Sequence, residues 1–117
     1  MKRSLSGIKP TGRPHLGNYL AMIRPCIELQ DSHEGFYFIA DYHSLTTVHD
    51  PQAIIEQSYE AAANFLAFGL DPSRATLFRQ SDIPEVTELT WLLSCVTSMG
   101  LLERAHAYKA AKDRGDA

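Results

Sequence analysis

The sequence predicts an α/β fold, half of a doubly wound parallel sheet running β-α-β-α-β-α over a single domain, residues 1–117. Three observations predict it. Short runs of aromatic and β-branched residues alternate with longer segments of helical periodicity, and Pro- and Gly-containing turns punctuate the boundaries. The connections are long enough for the right-handed crossovers that parallel strands require.

Each element has its own reason. Ser4-Leu5-Ser6-Gly7-Ile8 reads as a first strand, and Lys9-Pro10-Thr11-Gly12-Arg13-Pro14 as a tight loop that two prolines and a glycine stop from continuing it. From His15, the residues Leu16, Tyr19, Leu20, Ile23 and Ile27 recur at helical spacing, and Pro14 suits the first turn. Pro25 lies inside that run and predicts a kink or break, since its ring would clash with the carbonyl of Ala21. Gly35–Ala40 is apolar on both faces, as in a buried parallel strand. Asp50 and Pro51 read as N-cap and first helical residue of a helix reaching Phe68, with Ile54, Ser58, Ala61, Ala62 and Phe65 on one face and Gly69 as its stop. Asp71-Pro72 turns the chain into a third strand, Ala75–Phe78. Pro84 then opens a helix whose apolar face is Leu89, Leu92, Leu93, Val96 and Met99. No fourth strand follows Tyr108, and Lys109–Ala117 is expected to fray. With only half a sheet present, the chain is expected to be a fragment or a half-domain that pairs with something along the free side of its first strand.

Composition narrows the function classes. With 117 residues, 44% of them hydrophobic and 21% charged, the chain can bury a core without staples. Its only cysteines, Cys26 and Cys95, form no CxxC pair, which excludes a disulfide scaffold or a cysteine zinc site and fits a reducing cytoplasm. Both are expected to be buried, as are Trp91 and Met99 in a core or interface, whereas His33 and His106 are expected at the surface. No apolar run approaches the ~20 residues of a membrane span, and Met1–Ser6 leads into no signal-peptide core. The net charge of −3 is unevenly spread. Residues 1–27 hold Lys2, Arg3, Lys9, Arg13 and Arg24 with no acid, while residues 28–73 hold eight acids and no Lys or Arg. The distribution reads either as a localised anion site near the N-terminus or as a chance cluster of solvated side chains.

The first strand-loop-helix favours the anion site. A helix N-terminus offers unpaired N–H groups and the positive end of its dipole. His15 and Asn18 share one face of the first turn, and both can donate to a phosphate oxygen. Thr11 adds a hydroxyl and Lys9 a charge. Gly17 is costly within a helix, by ~0.5–1 kcal/mol against alanine, a cost accounted for if a flat base must approach the backbone there. Gly17→Ala is accordingly expected to weaken nucleotide binding and leave the fold unharmed or slightly more stable. The spacing fits neither GxGxxG nor the GxxxxGK[ST] loop. His43, beside Asp41 and His49, reads as a pocket histidine and not a metal ligand, because no ligand set stands at recognised spacing; no metal ligand is assigned. Glu85 and Glu88 read as acids favoured by the start of their helix.

Ser6-Gly7-Ile8-Lys9-Pro10-Thr11-Gly12 followed by His15-Leu16-Gly17-Asn18-Tyr19 resembles the first signature of class I aminoacyl-tRNA synthetases, in its tryptophanyl form. Asp41-Tyr42-His43-Ser44-Leu45-Thr46, Gln80-Ser81-Asp82-Ile83-Pro84-Glu85 and Leu102-Glu103-Arg104 resemble three further segments of that family, in its order and at similar spacing. The resemblance implies the N-terminal half of a Rossmann-like catalytic domain, ATP as substrate with Mg²⁺, tryptophan, tRNA(Trp) and a homodimer. It places Lys9, Pro10, Thr11, Gly12, His15, Gly17 and Asn18 at the nucleotide, with Gly17 against adenine and His15 and Asn18 on phosphates. It places Leu5, Gly7, Ala40 and His43 at the amino-acid pocket. Lys109 matches a basic residue of a mobile loop near the pyrophosphate and joins His15 and Asn18 as a catalytic candidate.

The chain departs from the family at Lys9, where glutamine is common, at Leu5, where phenylalanine is common, and in the later position of Lys112. It has no KMSKS-like loop, so normal aminoacylation is not expected from these residues alone. A tyrosyl enzyme, another nucleotidyltransferase of the same superfold, and a truncated non-catalytic partner module are the alternative readings.

Overall fold

The computed structural model describes residues 2–115, as two compact units that divide after Ile83. The first is built on three parallel strands, β1 (Lys2–Ile8), β2 (His33–Ile39) and β3 (Ala75–Arg79), hydrogen-bonded in the order β1-β2-β3. Ile8 pairs with Ile39, and Ile39 with Arg79, so the three strands leave the sheet at one level. Between β1 and β2 run α1 (Leu16–Asn18), a π-helical turn (Tyr19–Ile23) and α2 (Arg24–Leu29). Between β2 and β3 lie α3 (Asp41–Ser44) and α4 (Pro51–Ala67), and a 3₁₀ turn (Gln80–Asp82) follows β3.

Burial alternates along the strands because successive side chains point to opposite faces. On one face Ile8, Tyr37, Ile39 and Ala75 form a common core with Ile23 and Cys26 from the first crossover and Ala61 and Phe65 from α4. Both crossovers therefore cover the same face. The opposite face carries Leu5 and Gly7, level with Phe36 and Phe38, and then Phe78, and no helix of this unit packs on it. Leu5 is 70% exposed there, and the Phe38 and Phe78 rings lie 5.7 Å apart. Half of a doubly wound α/β sheet is thus present, with the helices of one side only.

The helix ends follow their sequence signals. Asp50 caps α4 by accepting from the Gln52 N–H at 3.0 Å, Pro51 begins it, and Gly69 ends it at φ +108°. Pro25, expected to kink or break the helix, distorts it without ending it. It cannot donate to the Ala21 carbonyl, and the chain answers one turn earlier by widening to a π turn in which the Arg24 N–H reaches Tyr19 O. α3 was not foreseen.

In the second unit, α5 (Glu85–Val96) follows Pro84, with α6 (Met99–Leu102) and α7 (His106–Arg114) after it. α7 overturns the expectation of fraying from Lys109 on; residues 116–117 of that expectation lie outside the described residues. The apolar face of α5 is exposed, and so is Cys95, which was expected to be buried; Trp91 and Met99, expected in a core or interface, are exposed too, which leaves only the interface.

The two cysteines consequently differ in chemistry. Cys26 is 3% exposed, and burial pushes its thiol up to about 11, so at neutral pH it is protonated and shielded. A maleimide reagent is expected to modify Cys95 in the native protein and Cys26 only after unfolding. Peptide mass spectrometry before and after denaturant checks this.

Candidate functional site

β1 delivers the chain to its carboxyl edge, where open parallel sheets bind ligands. Pro10 is buried just past the edge, Thr11 is exposed, and Gly12 and Pro14 carry the turn to His15. His15 has extended backbone angles, φ −97° and ψ 173°, as an N-cap requires. Its Nδ1 accepts from the Gly17 N–H at 3.0 Å, and the His15 N–H donates to Asn18 Oδ1 at 3.0 Å. This reciprocal cap fixes both side chains. A neutral imidazole that accepts at Nδ1 holds its proton at Nε2, and an amide that accepts at Oδ1 has its NH₂ group left to donate. Two donors from one exposed turn are therefore ready for an anion, beside the N–H groups of a helical run that continues to Leu29.

Gly17 lies directly beneath the capping imidazole. A β-carbon there would stand 2.8 Å from Cε1 and 2.9 Å from Nδ1 of His15, so the space is filled by the imidazole itself. Gly17→Ala is expected to push the ring off its cap and lower stability by about 1 kcal/mol, the usual cost of a lost N-cap, and not to leave the fold unharmed. Thermal unfolding compared with His15→Ala, which should show a similar loss, checks it.

Lys9, expected at the nucleotide, is held within the protein on one side. Its ammonium donates to Thr46 Oγ1 at 3.1 Å and Thr47 Oγ1 at 2.9 Å, which spends two of its three N–H groups within the protein. Of the basic N-terminal segment only Lys9 and Arg13 stand in the loop, and both have partners within the protein. Arg3 pairs with Glu34 at 2.7 Å at the other end of the strands, Arg24 with Glu28 at 2.7 Å, and Arg13 with Glu60 at 3.4 Å. Backbone and capping donors, not a cluster of cations, make this an anion-compatible site.

The residues expected at the amino-acid pocket fall on and beside the helix-free face. Leu5 and Gly7 lie on it, and a β-carbon on Gly7 would come within 2.3 Å of the Phe38 ring, so the absence of a side chain lets that ring lie across β1. Ala40 extends the ladder, its N–H donating to Ile8 O at 2.8 Å, and His43 is exposed on α3. Lys109 lies on α7 in the second unit, exposed. No group of three or more His, Cys, Asp or Glu that could hold a metal ion occurs among the described residues.

Sequence reasoning gave no role to five polar residues that the structure uses at this edge. Ser44 Oγ donates to Pro10 O at 3.1 Å, Thr46 and Thr47 hold Lys9, and Asp41 accepts from Ser81. Asp41 and Ser81 had been quoted in two separate motifs. The available signal was that each stands just past a strand end.

Comparison with known proteins agrees with this geometry. Residues 2–116 match the family model described as tRNA synthetases class I (W and Y). A tryptophan–tRNA ligase of Rhodopirellula baltica is 64% identical over 113 residues, covering 97% of this chain and 35% of that protein. A tryptophanyl-tRNA synthetase crystal structure from Campylobacter jejuni superposes with a TM-score of 0.89 at 43% identity, over 99% of this chain and 36% of that one. Another from the same organism, complexed with ADP and tryptophan, gives 0.87 at 44% identity, over 97% and 35%. The chain thus spans about a third of the length of these relatives. With its half-sheet and its self-capped first turn, this chain belongs to the class I tRNA synthetases of the tryptophan and tyrosine family.

Proposed function

We propose that these residues form the ATP- and tryptophan-binding half of the catalytic domain of a tryptophan–tRNA ligase. In the first step the tryptophan carboxylate attacks the α-phosphorus of ATP, a phosphoanhydride bond breaks, and tryptophanyl-adenylate and pyrophosphate result. In the second, a terminal ribose hydroxyl of tRNA(Trp) displaces AMP. Negative charge builds on phosphate oxygens during the first step, so positioned donors lower the barrier.

The single observation that carries the reading is the His15–Asn18 cap, which leaves His15 Nε2–H and Asn18 NH₂ as donors at the start of a helix. Pro10, Thr11, Gly12 and Gly17 complete the nucleotide side, and the third N–H of Lys9 can reach an anion while Thr46 and Thr47 hold the other two. On the amino-acid side, Leu5, Gly7, Ala40 and the Phe38 ring offer a flat apolar surface suited to an indole, with His43 at its rim. Mg²⁺ enters with the triphosphate and takes no protein ligand in this reading. Lys109 acts on the pyrophosphate, two copies form a dimer, and the reaction runs in the cytoplasm. Among the described residues no helix is long and apolar enough to cross a membrane.

The test is ATP–pyrophosphate exchange by the full-length gene product. Stimulation by tryptophan and not by tyrosine is expected. Stimulation by tyrosine alone replaces the reading with a tyrosyl enzyme, and exchange with neither removes it.

A further inference from the structure

Asp41 carries a buried carboxylate that the proposed chemistry does not use. It is 9% exposed and opens α3, two residues past the end of β2. Its Oδ1 accepts from the Tyr42 N–H at 3.0 Å and the Ser81 N–H at 3.1 Å, and its Oδ2 accepts from Ser81 Oγ. Arg79 is chiefly the partner of Asp82, 2.6 Å away, which does most to hold its guanidinium above the usual pKa, and Asp41 adds a smaller attraction from the same side. A buried carboxylate is costly unless its acceptors are filled, and here three donors fill them.

The other end of the same short helix is tied as well. Ser44 is fully buried and donates to the carbonyl of Pro10, in the loop after β1. A four-residue helix has no stability of its own, so α3 stands where these two tethers put it. One runs to the exit of β3 and the other to the exit of β1, while α3 itself leaves β2. It is a tie-bar across the three strand ends, with His43 between its anchors.

We infer that Asp41 and Ser44 are positioning residues with separate charges: Asp41, through Ser81, sets where His43 stands beside the amino-acid pocket, and Ser44 sets where the Pro10 loop stands beside the nucleotide. This rests on the functional reading above. A carboxylate suits the first anchor because charge-assisted bonds are shorter and more directional than neutral ones, which fixes the turn more closely.

The test is the KM for each substrate in exchange by the full-length gene product. Asp41→Asn is expected to raise KM for tryptophan about tenfold with little change for ATP, the size set by loss of one charge-assisted bond. Ser44→Ala is expected to do the reverse. Ser81→Ala should reproduce Asp41→Asn, the double variant should be no worse than either, and Ser81→Thr, which restores a hydroxyl, should recover part of the loss. If Asp41→Asn does not fold, Ser81→Ala, which keeps the backbone donor, carries the same comparison with Ser44→Ala. Both KM values rising together in step with a fall in melting temperature would show a merely structural role and overturn the inference. A parent enzyme without tryptophan-dependent exchange overturns the functional reading and this inference with it, whereas a parent that exchanges normally while the variants show no split overturns the inference alone.

Discussion

Replacing His15 by alanine is expected to lower tryptophan-dependent exchange by about 10²–10³-fold, the range for losing one preorganised donor to a developing oxyanion. The ring has two separable duties. Nδ1 caps the helix through Gly17, and Nε2–H is left to donate, in the proposed reading to the nucleotide. Alanine removes both, so part of its effect would be a loosened turn. His15→Asn separates them, because asparagine is among the best N-caps and its amide oxygen can take the Gly17 N–H, while its shorter side chain does not extend to where Nε2 stands. The asparagine variant should therefore melt like the parent and remain at least tenfold slower in exchange. Recovery of full activity with asparagine would assign His15 a capping role only.

The largest expected loss of stability is at Phe65. Phe65→Ala should cost about 3–5 kcal/mol in urea unfolding, the usual range for truncating a buried aromatic residue. Phe65 is fully buried on α4, in the core shared by the sheet and both crossovers, and its carbonyl also accepts from the Leu70 N–H at 3.0 Å as the chain turns toward β3. Against a total stability of roughly 5–15 kcal/mol for a domain, that is a large share. Leu66 next to it is 48% exposed, and Leu66→Ala should change stability by no more than about 0.5–1 kcal/mol. Equal losses at the two positions would mean that α4 does not bury the face described.

The strands and α4 were legible because local signals and tertiary demands agree there. Asp50-Pro51 caps and starts α4, Gly69 stops it, and the apolar residues between lie on the face that meets the sheet. α3 was not legible, because four residues carry no periodicity and owe their turn to hydrogen bonds with residues more than thirty positions away. α7 was misread for another reason. Ala107-Tyr108-Lys109-Ala110-Ala111-Lys112 is rich in helix formers, but its polarity was taken as fraying when it only signals an exposed helix. The periodic leucines of α5 announce an apolar face and do not say what covers it, hence the misplacement of Cys95.

At the site, residue types revealed His15 and Asn18 as hydrogen-bonding candidates but not the direction of their bonds. Only the fold shows that one nitrogen and one oxygen are already spent, and that the space over Gly17 belongs to the imidazole.

Because both crossovers lie against one side of the sheet, the bare side can be roofed only by residues from outside the β1–α4 segment. In the proposed reading the nucleotide side rests on neighbouring positions of one loop and turn, whereas the amino-acid side stays open until residues from elsewhere close over Leu5, Gly7 and Phe38.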